Sequence, residues 1–418
     1  MAEVATLRTA LESFMAEVVV PSEERYRSEA AELHGRSTPA VMAEMQVEAK
    51  RRGLWNLCLS DDEWGRGLTN AEYAPLAEIT GRSAPAAEAI NCAGPDSVNM
   101  ETLLRVGTHA QKEQWLRPLA DGECKSCFAM TEPAAASSDA RNIATRIERS
   151  AGGYVVTGRK WWTSGAVNDR CRFAIVMGVT NPDAPAAHRH SMLVVPMDAP
   201  GLRVVRQLSV YGYRTGGHAE LAFDGVEVPV DALLGEEGEG FAVAQLRLGP
   251  ARIQHCMRLI GMAERALELL CDRARSRTTF GTVLADQGVI RDWIAESRIA
   301  ISQARMLVVH AAEKVDRDGS RTARDEIAMI KVAVPRMACE VIDRAIQVHG
   351  GAGVSDDTPL GAMYASARTL RIADGPDEVH KMVIARSELG RQRGSAGSSG
   401  QAATQAAAQS VAIDEVAS

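Results

Sequence analysis

The stretch IATRIERSAGGYVVTG (143–158) sets two short runs, 143–149 and 153–158, on either side of a Ser-Ala-Gly-Gly turn. Both runs are rich in Val, Ile and Thr, the residues whose branched side chains fit a pleated surface. The same composition returns at 171–179, 190–197, 202–208 and 219–228, with Gly, Pro, Asn or Asp between many of the runs. Six such strands in about ninety residues, with no helical pattern among them, predict a small antiparallel barrel or sandwich.

On both sides of this segment the apolar spacing is helical. Leu7, Leu11, Phe14 and Val18 recur at three and four residues, and 41–52 and 70–80 repeat the pattern. THAQKEQWLRPLAD (108–121) opens on a Thr cap and closes before Gly122. After GEEGEGF (235–241) come long helical spans at 252–275, 286–317, 321–348 and 360–388, which together imply a bundle. Pro335 lies inside the third and predicts a kink. The expected fold class is α+β: an N-terminal helical domain (1–123), a middle antiparallel β-barrel or sandwich domain (124–235) and a C-terminal four-helix bundle (236–393). A disordered tail rich in Gly, Ser, Ala and Gln is expected over 394–418.

Composition removes several function classes. Lys plus Arg number 47 against 54 Asp plus Glu in 418 residues, a net charge of −7, opposite to what a phosphate-coating surface needs. Phe, Trp and Tyr number six each, too few for a base-stacking platform. Apolar runs such as 173–179 fall short of a membrane span, and the N-terminus carries acidic residues where an export signal has basic ones. Eight dispersed cysteines read as reduced thiols, so a cytoplasmic protein without nucleic-acid or membrane partners is expected.

Five segments bear polar groups suited to chemistry, and each also has a purely structural reading. Phe128-Ala-Met-Thr-Glu-Pro133 ends a strand where helix gives way to sheet, with backbone groups and the Thr131 hydroxyl suited to a flat heterocycle's edge; alternatively it is a strand end with a turn. Gly158-Arg-Lys-Trp-Trp-Thr-Ser-Gly-Ala166 could stack an indole on a ring system while Ser164 hydrogen-bonds to it, or could be a buried Trp pair. Arg277-Thr-Thr-Phe-Gly281, reaching Gln287, suits a pyrophosphate or is an interhelical loop. Gln347-Val-His-Gly-Gly-Ala-Gly353 follows a helix, the wrong order for a dinucleotide fingerprint, and is a helix end or a nucleotide-contacting loop. In Arg371-Ile-Ala-Asp-Gly-Pro-Asp-Glu-Val-His380, Asp374 beside an apolar cavity would be a base, and otherwise a turn residue. Cys124 and Cys127 lack a second pair at zinc spacing, and no metal site is expected.

In this order, FAMTEP, KWWTSGA, RTTFG, AIQVHGGAG and RIADGPDEVHKMVIAR resemble the flavin-dependent acyl-CoA dehydrogenase family over almost the whole chain, with Asp374 in the form of a subgroup that carries Asp at the base position. The resemblance implies FAD as cofactor, lined by Phe128, Met130, Thr131, Trp162 and Ser164. It also implies that Arg277, Phe280, Gln287, Gln347, Gly350 and Gly351 reach the FAD of a neighbouring subunit in a homodimer or homotetramer, with Gly375, Pro376 and Glu378 also against the cofactor. Ser138 and Arg252 would contact the CoA arm, and Asn91 and Met100 would shape the acyl end. The implied reaction is α,β-dehydrogenation of an acyl-CoA thioester to a trans-2-enoyl-CoA, as in fatty acid β-oxidation. Asp374 takes the α-proton, flavin N5 takes the β-hydride, and an electron-transfer flavoprotein is the acceptor.

Two positions depart from the family pattern. Asp374 is one methylene shorter than the Glu many relatives carry, roughly 1.5 Å of reach. Gly249 stands where relatives often have an Asp. Alternatives on the same fold are an acyl-CoA oxidase or a flavin-dependent eliminase of a 4-phosphorylated acyl-CoA; a different class is a non-catalytic acyl-CoA- or FAD-binding protein.

Overall fold

The computed structural model, which describes residues 2–396, builds one mixed sheet from β1 (Lys125–Ala129), β2 (Arg146–Ser150), β3 (Gly153–Thr163), β4 (Cys171–Val179), β5 (His190–Pro196), β6 (Leu202–Gln207) and β7 (Ala219–Pro229). Neighbours run β1-β4-β2-β3-β7-β6, with β5 on β4. The hairpin read from 143–158 is there, with Ile147 opposite Val156. Most pairings are antiparallel, but β1 and β2 each pair parallel with β4. The middle segment is therefore a half-barrel with a parallel edge.

Both faces of this sheet are covered, which is why β4 reads as a continuous apolar run. Phe173, Ile175 and Met177 pack with Met192 and Val194 against Met100, Leu103, Leu116 and Leu119 from the preceding helices. Ala174 and Val176 face the other way, with Leu193, Tyr154, Leu221 and Phe223. The Thr108 cap expected from sequence is a full capping box with Gln111.

By contacts the chain falls into two units. The sheet and its flanking helices occupy 24–67, 88–248 and the stretch from Ala385; the other unit, 1–23, 68–87 and 249–384, is helical. Within the helical unit, Gly288–Asp318 packs on Arg324–His349 and on Asn70–Gly81. Two glycines permit unusually close helix approach. A Cβ on Gly81 would meet the Arg258 carbonyl oxygen at 2.0 Å, and one on Gly261 would meet that of Glu78 at 1.9 Å. These contacts lock Asn70–Gly81 against the Gly240–Ser276 helix, and Arg305 bridges Glu78 and Glu264 beside them.

One expectation is corrected. The span 360–388 is two helices, Leu360–Thr369 and Asp377–Ala396. Asp374 and Gly375 between them have φ of 57° and 101°, and Pro376 supplies no N–H, so the helix cannot run through. Pro335, by contrast, lies within the continuous Arg324–His349 helix. Residues 397–418, most of the expected tail, lie outside the described residues.

Candidate active site

In the helical unit, Asp374 occupies the left-handed region, which Asp tolerates better than most residues because its short side chain can bond locally. The turn that holds it is anchored by donors on its carbonyls. Lys331 Nζ, buried in the Arg324–His349 helix, donates to Leu370 O at 2.7 Å and Ala373 O at 2.8 Å. Arg252 Nε donates to Asp374 O at 3.1 Å, and His380 Nε2 lies 3.2 Å from the same oxygen. A carbonyl only accepts, so Nε2 is the donor there.

The turn's exit is fixed separately. Buried Asp377 accepts from Arg336 at 3.1 Å and from Arg371 at 2.8 and 3.0 Å. Burial raises the Asp377 carboxyl, but these hydrogen bonds and charges outweigh it and hold the group below the usual carboxylate range. Burial pushes His380 down to about 4, and nearby Arg252 and Lys331 push the same way. The Asp374 carboxylate itself is one-quarter exposed and lies 3.5 Å from His255 Nε2.

The other expected residues of this unit are placed as follows. Gly375, Pro376 and Glu378 lead into the last helix, Glu378 exposed. A Cβ on Gly375 would meet His380 Nε2 at 2.8 Å. Arg277 and Phe280 lie on a tight hairpin, β8 (Thr278–Thr279) and β9 (Thr282–Val283), and Gln287 follows it at the start of the next helix. The hairpin's two central residues, Phe280 and Gly281, both have positive φ, the geometry of a two-residue turn, and Phe280 is 100% exposed. Gln287 donates to Thr282 Oγ1 at 3.1 Å. Gln347, Gly350 and Gly351 form an exposed helix end, with Gly350 at φ 63°.

Gly249 also has a local reason: a Cβ there would meet Ser320 Oγ at 2.5 Å and Cβ at 2.8 Å, so an Asp has no room.

In the sheet unit, the segments Phe128–Pro133 and Gly158–Ala166 are brought side by side. Trp161 N donates to Thr131 O at 2.9 Å, and buried Lys160 Nζ donates to Met130 O at 2.8 Å and Glu132 Oε1 at 2.9 Å. Glu132 also accepts from Ala144 N and Thr145 N, both at 2.8 Å. Burial pushes Lys160 down to about 8; in Glu132 the burial penalty is outweighed by Lys160 and these donors, so the pair is charged at neutral pH.

An irregularity between Lys160 and Thr163 turns Trp162 to φ 53° and leaves it 41% exposed, so the Trp pair is not buried. Ser164 Oγ lies 2.9 Å from His218 Nδ1, and the His218 ring meets Trp162 edge-on at 5.7 Å. Phe128 is half-buried under the Arg247 guanidinium, 3.5 Å from its ring centroid.

Ser138 is exposed next to Ser137, whose Oγ accepts from Glu132 N. Asn91 and Met100 are enclosed in the interior, the Asn91 amide donating to Asn56 and Leu119 O. Contact with an acyl chain would require that interior to open.

Sequence comparison shows what this arrangement belongs to. Models of the acyl-CoA dehydrogenase N-terminal, middle and C-terminal domains match residues 1–123, 127–226 and 238–389. The chain belongs to the acyl-CoA dehydrogenase family. It is 55% identical over 390 residues to a Mycobacterium tuberculosis protein named probable acyl-CoA dehydrogenase FadE2, covering 92% of this chain and 95% of that one. It is 50% identical to mouse acyl-CoA dehydrogenase family member 10, covering 91% of this chain and 36% of the mouse protein's length.

Among solved structures, a Mycobacterium abscessus protein bearing the acyl-CoA dehydrogenase name is 47% identical with a TM-score of 0.91, covering 94% of this chain and 99% of that chain. Butyryl-CoA dehydrogenase from Megasphaera elsdenii is 25% identical with a TM-score of 0.79, covering 92% and 98%. Acyl-CoA dehydrogenases are FAD-dependent oxidoreductases, and this chain is one of them.

Within each unit, several supporting groups were not singled out in sequence. Lys331 had a signal, a lone cation within the apolar run AMIKVAV. His255 and Arg258 follow the already named Arg252 at three-residue steps, so they share its helix face. Lys160 and Glu132 lie inside quoted motifs, where their charges carry no assigned role. His218 had no local signal.

Proposed function

We propose that this chain catalyses the FAD-dependent α,β-dehydrogenation of an acyl-CoA thioester to a trans-2-enoyl-CoA, with Asp374 as the base. The observation that carries this reading is the left-handed Asp374, held by backbone anchors from Lys331, Arg252 and His380. A residue kept in a sparsely populated conformation by several side-chain donors is a feature to be expected where a side chain must be aimed.

The residues present suit the cofactor. Trp162 offers an exposed indole face beside the Ser164 hydroxyl, and the Lys160–Glu132 clasp fixes the Met130–Thr131 backbone next to them. Bound FAD supplies a two-electron acceptor for the substrate's β-hydride. Phe128, Met130, Thr131, Trp162 and Ser164 would orient its ring. Arg277, Phe280, Gln287, Gln347, Gly350 and Gly351 would reach a neighbouring subunit's FAD; a fully exposed Phe280 on a tight two-residue turn supports a role in covering something outside its own chain.

The chain's own work is then proton chemistry and positioning. Arg252 and His380 hold the Asp374 carbonyl, so the side chain projects from a fixed point. The Asp374 carboxylate takes the α-proton of the bound thioester, and the Asp374 backbone N–H is assigned to the thioester oxygen on which charge develops. Expulsion of water by the acyl chain strengthens both interactions. Electron-transfer flavoprotein is the proposed acceptor.

Anaerobic titration of the yellow protein with a panel of acyl-CoAs, followed by mass spectrometry, tests this reading. Flavin bleaching and a product two mass units lighter are expected. Loss of a 4-substituent instead, or binding without bleaching across the panel, would overturn it. Comparing reoxidation by oxygen with reoxidation by the flavoprotein then separates oxidase from dehydrogenase.

A further inference from the structure

The one-quarter-exposed Asp374 carboxylate has a charged or titratable neighbour on each element around it. From the Gly240–Ser276 helix come Arg252, His255 and Cys256; from Arg324–His349 comes Lys331; from the last helix comes His380. Of these, His255 is the one whose ring nitrogen approaches a carboxylate oxygen, Nε2 to Oδ2 at 3.5 Å. Its other nitrogen is also engaged: Arg258 Nη2 lies 3.2 Å from His255 Nδ1.

A guanidinium only donates, so Nδ1 must be the acceptor. The ring proton is thereby assigned to Nε2, the nitrogen that faces Asp374. The arrangement runs in one direction, from Arg258 to His255, three residues apart on one helix face, and on to Asp374 in the facing turn. At its far end the Arg258 backbone is closely packed, its carbonyl oxygen 2.0 Å from where a Cβ on Gly81 would sit.

We propose that His255 is a positioning residue for the base: a neutral imidazole, locked by Arg258 as the Nε2–H tautomer, that donates to Asp374 Oδ2 and fixes the plane of its carboxylate. The proposal rests on the reading of Asp374 as the base. At 3.5 Å the contact is longer than a formed hydrogen bond, and a small side-chain rotation closes it, as catalytic hydrogen bonds often close on substrate binding. The tautomer lock has a chemical consequence. With Nε2 already protonated and Nδ1 facing a cation, His255 cannot accept the proton that Asp374 removes, so the proton stays on the carboxyl until product leaves.

Two measurements on the FAD-loaded protein test this. Nitrogen-15 histidine NMR is expected to show one ring, absent from the His255→Phe spectrum, with Nε2 protonated and Nδ1 bare at neutral pH. An Nδ1-protonated or doubly protonated ring would overturn the proposal. In pH profiles of kcat/KM, His255→Phe is expected to move the acid limb to higher pH and lower kcat roughly tenfold, with His255→Gln, which keeps a side-chain N–H, restoring part of both. His380, at about 4, and Cys256, pushed by burial to about 12, leave the neutral range clear for this shift. Arg258→Met should add a new ionisation near the ordinary histidine value.

A wild-type profile and kcat in His255→Phe, with Asp374→Asn inactive, would overturn the proposal alone. Turnover surviving in Asp374→Asn would overturn the base assignment beneath it. If His255→Phe does not fold, the NMR measurement on the native protein, assigned with His255→Gln, decides.

Discussion

Replacing Lys331 by Met asks whether the buried clasp on the 370–376 turn positions Asp374 or only stabilises the fold. The side chain is 1% exposed and its ammonium serves two carbonyls, at 2.7 and 2.8 Å. Met matches its shape and removes both donors. Each stranded carbonyl costs about 1–3 kcal/mol, so the direct loss is about 2–6 kcal/mol. Part is returned, because burial disfavours the ammonium and pushes its pKa below the ordinary lysine value. A net loss of about 1–4 kcal/mol remains. Against it stands the strain of a left-handed non-glycine residue, about 1–2 kcal/mol, which the clasp helps to hold.

The two are comparable, so the turn is expected to relax while the Arg252 and His380 contacts to Asp374 O keep it nearby. A displacement of about 1 Å at a reacting group costs about 100-fold. The expected result is a 10- to 100-fold fall in the rate of anaerobic flavin bleaching at saturating acyl-CoA, with normal FAD content and a melting temperature lower by a few degrees. Bleaching within twofold of wild type, with the melting temperature lowered, would refute a positioning role for the clasp.

Other perturbations follow from the same contacts. Glu132→Leu strands Lys160, Ala144 N–H and Thr145 N–H in the interior and should cost about 3–5 kcal/mol by denaturant titration. His190 and His380 are held by burial at about 4, below the ordinary 6.5, so the unfolded chain binds more protons between those values. Stability should therefore fall as pH drops from about 6.5 to 4, by up to about 3 kcal/mol for each ring, measured by denaturation at stepped pH. Phe280→Ala removes a ring that is fully exposed among the described residues, and should lower FAD retention on gel filtration without lowering the stability of the apoprotein.

Much of the fold was legible because its signals are local. β-Branched runs broken by turn residues marked β2 to β7, and the Thr108–Gln111 box marked a helix start. The parallel pairing of β1 with β4 was not legible, since it joins segments more than forty-five residues apart and leaves no periodicity of its own. The π-helical turns at Met15–Val19 and Lys112–Leu116 were equally silent, because one extra residue per turn changes no composition.

The break before Asp377 shows two signals in conflict. The apolar spacing of 360–388 outweighed Gly375-Pro376, yet the backbone followed the breaker. For the site, the motifs named Asp374, Trp162 and Ser164, but the groups that hold them were hidden. Lys331, His255 and His218 act across distances in sequence that only tertiary packing closes.

Asp374→Asn keeps the side-chain shape and the tolerance for a left-handed backbone while removing the basic oxygen. The most direct measurement is exchange of the C2 hydrogens of a bound acyl-CoA with deuterium from solvent, in wild type and in this variant, both with FAD bound. Rapid exchange in wild type and loss of at least about a thousandfold in Asp374→Asn, with an unaltered flavin spectrum, is the predicted result. Exchange persisting at the wild-type rate in the variant would contradict the assignment of Asp374 as the base.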